Sequence, residues 1–145
     1  MKKDQWALLK VLREKARDAI FLVEHSLRYI SPYDSQMQYG PKEREPYDAL
    51  SDRFVRSVEI CLKFFRSYER YLYAENSDTL RDLLNRMEKA GIVSSVRLWM
   101  EMRELRNRMG HGYLPDEIEQ MYDLIMDEFG HELLKVSQNI KQIDE

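Results

Sequence analysis

Residues 47–75, YDALSDRFVRSVEICLKFFRSYERYLYAE, decide the class of fold. Leu50, Phe54, Val58, Cys61, Phe65, Tyr68 and Leu72 recur at steps of four, four, three, four, three and four, which places them on one face of an α-helix. Leu62, Phe64 and Tyr71 widen that face, so the helix is expected at the centre of the fold, touched on several sides. Part of its surplus apolar surface is expected between subunits.

The pattern continues outward in both directions. Upstream, Leu8, Leu12, Ala16, Ala19, Val23, Leu27 and Ile30 mark a first helix over about 3–30. Between the two, residues 31–46 hold Pro32, Gly40, Pro41 and Pro46 and read as a loop insertion, longer than most helix–helix connections. Downstream, Asn76-Ser77-Asp78 offers a cap for a third helix over about 78–90, closed by Gly91. Ser94 or Ser95 caps a fourth over about 95–109, with Gly110 ending it. Pro115 opens a fifth over about 115–142, with Asp116 and Glu117 at the positive end of its dipole. No strand pattern competes. The expectation is an all-α fold: one helical domain over 1–145, an antiparallel bundle of four main helices plus a shorter one.

A chain of 145 residues buries enough surface to fold without a disulfide or metal. Its single cysteine, Cys61, excludes an intramolecular disulfide and a cysteine metal cluster. The amphipathic pattern starts at the first residues, unlike a signal peptide, and no apolar run is long enough to span a membrane, so the expected compartment is the cytoplasm. Lys+Arg of 23 against Asp+Glu of 26 argues against a general basic coat for nucleic acid. The average hides a polarity: residues 1–108 hold 21 basic and 17 acidic side chains, residues 109–145 hold 2 and 9.

Most candidate chemistry falls away. His131-Glu132 lacks a second histidine four residues on, where Lys135 stands, so no zinc-protease helix exists. Cys61 lies in an apolar helix face, where a thiol is inert. His25 reads as a partly buried packing residue beside Phe21 and Tyr29. His111 differs by its place, in a short turn between Gly110 and Gly112 past a helix end. Arg103, Arg106 and Arg108 precede it by one to two turns, and Tyr113 follows at the entry to the last helix. A helix that stops at Gly110 lets His111 fold back toward Arg106. Arginine offers a planar fork for phosphate oxygens, and histidine can move a proton on a ribose hydroxyl near neutral pH. On spacing alone, a bare structural turn explains the same residues.

The run Met102-Arg103-Glu104-Leu105-Arg106-Asn107-Arg108-Met109-Gly110-His111-Gly112-Tyr113 resembles the signature of the HEPN superfamily, in the Arg-Asn-x3-His-x-Tyr form of HepT-like proteins. The helix count and the position of the motif at the end of the fourth helix agree with it. The resemblance implies a homodimeric, metal-independent ribonuclease that needs no cofactor. Arg106 would hold the scissile phosphate, His111 would act as acid or base, and Asn107 would orient the site. It also implies a partner, a minimal nucleotidyltransferase antitoxin that transfers AMP to Tyr113. Asp48, Asp52 and Arg53 open the second helix and could reach such a site with Arg103, although a helix cap with a surface ion pair is the simpler account. Two other readings stand beside the RNA-cleaving toxin: a non-catalytic companion that presents substrate to a nucleotidyltransferase, and an all-α interaction module.

Overall fold

The computed structural model of the chain describes residues 2–109 and 115–145, and every regular element among them is helical. The helices are α1 (Lys2–Tyr29), α2 (Pro41–Tyr73), α3 (Leu80–Lys89), α4 (Val96–Arg108), α5 (Pro115–Leu124) and α6 (Gly130–Lys141). A π-helical turn, Ile125–Phe129, joins α5 to α6, so the two form the single rod that the periodicity predicts over about 115–142. No described helix is long and apolar enough to cross a membrane.

Two boundaries differ from the sequence reading. The insertion expected over 31–46 ends at Gly40, and α2 takes in both Pro41 and Pro46. Pro41 occupies the first helical position, where a missing N–H costs nothing. Pro46 lies in the second turn, and the carbonyl it leaves unbonded belongs to exposed Lys42, where water can replace the bond. Glu43 accepts the Gly40 N–H at 3.2 Å and fixes the start. The cap of α3 is Thr79, whose hydroxyl accepts the Asp82 N–H at 3.1 Å, rather than residues 76–78. Ser95 caps α4, accepting from the Leu98 N–H at 3.0 Å. Gly91 closes α3 at φ +77°, a left-handed conformation that glycine adopts without strain.

Neighbouring helices run antiparallel. Trp6 packs on Tyr71 near one end of the α1–α2 pair, and Arg53 donates to the Leu22 carbonyl and the Ser26 hydroxyl near the other. Arg13 donates to the Ile143 carbonyl at 2.7 Å and Arg17 to Ser137, fastening α1 to α6. Trp99 of α4 meets Glu132 of α6, and Arg108 meets Glu117 of α5. Phe54, Phe64, Phe65, Trp99 and Phe129 fill the centre with no exposure above 1 %. Cys61, Phe64 and Phe65 are fully enclosed by the chain's own helices. The apolar surface expected between subunits on α2 is therefore largely consumed within the chain. Large apolar side chains stay exposed mainly on α1 instead, at Leu8, Val11, Phe21, Leu22 and Tyr29. The buried stripe of α1 accordingly includes Leu9, Ala16, Ile20 and Val23, and leaves Leu8 outside.

Candidate functional site

Arg106 lies in the last turn of α4 and reaches across to α2. Its Nη1 donates to Glu59 Oε1 at 2.8 Å. The arginine side chain keeps 27 % of its surface exposed and the glutamate 48 %. Arg106 Nε is enclosed and has no hydrogen-bond partner among the described residues. One corner of the guanidinium is therefore held by Glu59, and the exposed remainder of the side chain, not the enclosed Nε, is where an anion's oxygens can bond. His111 and Tyr113, the other two chemical members of the motif, lie outside the described residues.

The remaining candidates separate. Asn107 points about 100° around α4 from Arg106. It lines a polar groove on the outer face with Arg103, Arg81 and Glu104. Asp48 lines a cavity that also includes Met109, the residue following α4. Asp52 turns to Arg56 in an exposed ion pair one turn along its own helix, at 2.9 Å. Arg53 is spent on α1, as described above. Of the four supporting residues named from sequence, Asp48 lies at the cavity beside the end of α4 and Arg103 lines the outer groove with Asn107, whereas Asp52 and Arg53 serve the helices themselves.

The cavity near Asp48 encloses about 190 Å³. Tyr33, from the segment before α2, stacks on Tyr39 with ring centroids 4.8 Å apart and on Tyr122 at 5.3 Å, and meets Tyr47 edge-on at 5.2 Å. Tyr47 donates to the Ser31 carbonyl at 2.7 Å, and Tyr122 donates to the Tyr47 carbonyl at 3.0 Å. The segment is further pinned by the Ser35 N–H, which donates to Glu119 Oε1 at 2.9 Å. Burial pushes the Tyr122 hydroxyl up to about 12, with the Asp48 carboxylate adding to the shift. Burial, then the neighbouring Tyr39, does the same for Tyr47, also to about 12. Both phenols therefore stay protonated at neutral pH.

Sequence reasoning passed over Glu59 and the tyrosines. Glu59 follows Asp48 by eleven residues, three helical turns, so the shared face was visible in the spacing. Tyr33, Tyr47 and Tyr122 come from three separate segments, and no local pattern unites them. The other rejected candidates have structural roles. Cys61 is fully buried, and burial followed by the nearby Glu132 raises its thiol far above the usual range. Glu132 is buried and accepts the Trp99 Nε1–H at 2.8 Å and the Ser94 N–H at 2.9 Å, joining α4 to α6. His131 is exposed beside Asp127, and His25, expected to be partly buried, is instead exposed on α1 with its ring against Tyr29 one turn on.

The model of one protein family, described as nucleotidyltransferase substrate binding protein like, matches residues 23–142, from the last turns of α1 to the end of α6. No curated protein and no solved structure matches the chain.

Proposed function

The chain belongs to the nucleotidyltransferase substrate binding protein-like family, and from that premise we propose that it is the partner of a nucleotidyltransferase and a HEPN-type ribonuclease. Arg106 carries this reading. It is a permanent cation at a helix end, five residues before His111 in the motif, and is paired among the described residues with one exposed carboxylate, Glu59. In the proposed reaction an RNA phosphate takes the Arg106 guanidinium's open donors, and Asn107 supports the site from the neighbouring face of α4. His111 removes the ribose 2′-hydroxyl proton, the 2′-oxygen attacks phosphorus, and the 5′-oxygen leaves with a proton. The products are a 2′,3′-cyclic phosphate and a free 5′-hydroxyl. Two copies of the chain would bring two motifs to one cleft. The exposed apolar side chains of α1 support a second copy as a partner.

Silencing would follow when the partner nucleotidyltransferase moves AMP from ATP onto the Tyr113 oxygen, releasing pyrophosphate. The added anion would occupy Arg106 and exclude RNA. His111→Ala and Arg106→Ala should each abolish cleavage of a single-stranded RNA by the purified protein, with helical circular dichroism unchanged. Full activity in either variant overturns the catalytic assignment. The family description favours a second reading, a companion that binds substrate for the nucleotidyltransferase without cutting. That reading predicts nucleotide binding, and no cleavage by the unmodified protein.

A further inference from the structure

The cavity of about 190 Å³ between the segment before α2, the start of α2, the end of α4 and the start of α5 has no part in the chemistry above. Its size is the first constraint. Drug-sized ligands occupy roughly 300–1,000 Å³, so this space takes one small ring system and leaves the rest of a larger molecule outside. Its walls are the second. Tyr33, Tyr47 and Tyr122 line it with the thioether of Met109. The Tyr33 ring is stacked between Tyr39 and Tyr122, so a flat aromatic ligand meets ring edges and the polarisable sulfur. Its polar groups are the third. The Tyr47 and Tyr122 hydroxyls are already donated to backbone carbonyls. Asp48 and Arg44 also line the cavity, and neither forms an ion pair among the described residues. An acceptor-only carboxylate beside an aromatic wall, with a guanidinium nearby, selects a planar base that donates from its edge and carries a phosphate.

Position ties the cavity to the motif. Met109 follows Arg106 by three residues, about 4.5 Å of helix rise, so cavity and guanidinium lie within one turn of each other along α4. On α2 the order is reversed and the spacing wider, with Asp48 at the cavity and Glu59 at Arg106 three helical turns apart, so the two are neighbours along one side of the bundle and not a single site.

We propose that this cavity is a nucleobase pocket specific for guanine, whose adjacent N1–H and N2–H donors match the two oxygens of the Asp48 carboxylate while its phosphate lies toward Arg44. The proposal rests on the nucleotide-handling reading of the site and names the base it would select. Adenine and cytosine each present one donor beside an acceptor on that edge, and the acceptor would face a carboxylate oxygen, which is repulsive. The insertion before α2 would thus add affinity for either base, since it brings Tyr33 to the wall, while α2 supplies the selectivity through Asp48.

Calorimetric titration of the full-length protein with 5′-GMP, 5′-AMP and ribose 5-phosphate tests the pocket. The expected result is GMP binding at least tenfold tighter than AMP, with ribose 5-phosphate weakest. Asp48→Asn replaces one acceptor with a donor at an exposed position, so it should keep the fold and lose the preference. Tyr33→Ala should weaken GMP and AMP alike. Equal affinity for GMP and AMP, or a preference that survives Asp48→Asn, overturns the proposal. RNA cleavage run in parallel separates the two readings. Cutting that requires Arg106 without any GMP preference sinks the pocket alone. A GMP preference abolished by Asp48→Asn in a protein that cuts no RNA sustains the pocket and sinks the ribonuclease.

Discussion

Gly130 has the least room for a side chain of the glycines described. A Cβ there would lie 2.6 Å from the Ile125 carbonyl oxygen and 2.9 Å from Leu27 Cδ1. The π-helical turn makes the first approach and the packing of α1 on the rod makes the second. A methyl group must therefore move backbone, not only a flexible side chain. Gly130→Ala should cost about 1–3 kcal/mol, read as a melting point lower by roughly 2–12 °C. An unchanged melting point would show that the turn yields freely. The sequence displayed a glycine inside a helical pattern, but its purpose depends on Leu27, far along the chain, and could not be read locally. Glu59 poses the complementary case. Its pair with Arg106 is half-exposed, so Glu59→Gln should change stability by less than about 1 kcal/mol. The same change removes a negative charge and a competitor for Nη1. Binding of an RNA oligonucleotide in a His111→Ala background should therefore tighten. Weaker binding would mean that Glu59 positions the guanidinium instead of competing for it.

Among the elements, the segment before α2 is where sequence reading and structure differ most. Periodicity located α1, α2, α4 and the α5–α6 rod because each buries a continuous apolar stripe, and that signal is local. The insertion buries tyrosines one at a time against α2 and α5, so its order comes from partners distant in sequence. Its proline content marked a break correctly but extended it too far, because Pro41 and Pro46 fit the first turns of α2. The tyrosine cluster makes a testable pH response. In the unfolded chain these phenols ionise near 10. In the fold, Tyr47 and Tyr122 resist to about 12. Their contribution to stability is complete below pH 10, and it is lost as pH rises from 10 to 12, because the unfolded state releases protons first. Denaturant unfolding at stepped pH should show that loss, and tyrosinate absorbance should show a late-ionising class that merges with unfolding. Tyr122→Phe should flatten the decline. A stability flat from pH 10 to 12 would refute the burial of these hydroxyls.

At the scale of the whole molecule, the charge asymmetry takes a more specific form than a basic half and an acidic half. The acidic residues of the α5–α6 rod neutralise part of α4. Arg97 bonds Glu128 at 3.0 Å as well as Glu101 at 2.7 Å, and Arg108 meets Glu117 at 3.5 Å. Four arginines in sequence therefore do not give four phosphate contacts. Arg106, held among the described residues by exposed Glu59 across the bundle, is the one whose position matches the motif, and Arg103 lines the neighbouring groove. Single-stranded RNA binding should thus be weak and salt-dependent with a shallow slope, since each neutralised phosphate contributes about −0.7 to the dependence of log K on log salt. In a His111→Ala background, which removes cleavage from the measurement, Arg106→Ala should reduce that slope by about one phosphate's worth. Arg97→Ala should leave it nearly unchanged, because its charge is already taken up by two glutamates. Equal effects of the two substitutions would mean that RNA meets a diffuse positive face of α4 and that Arg106 has no privileged contact.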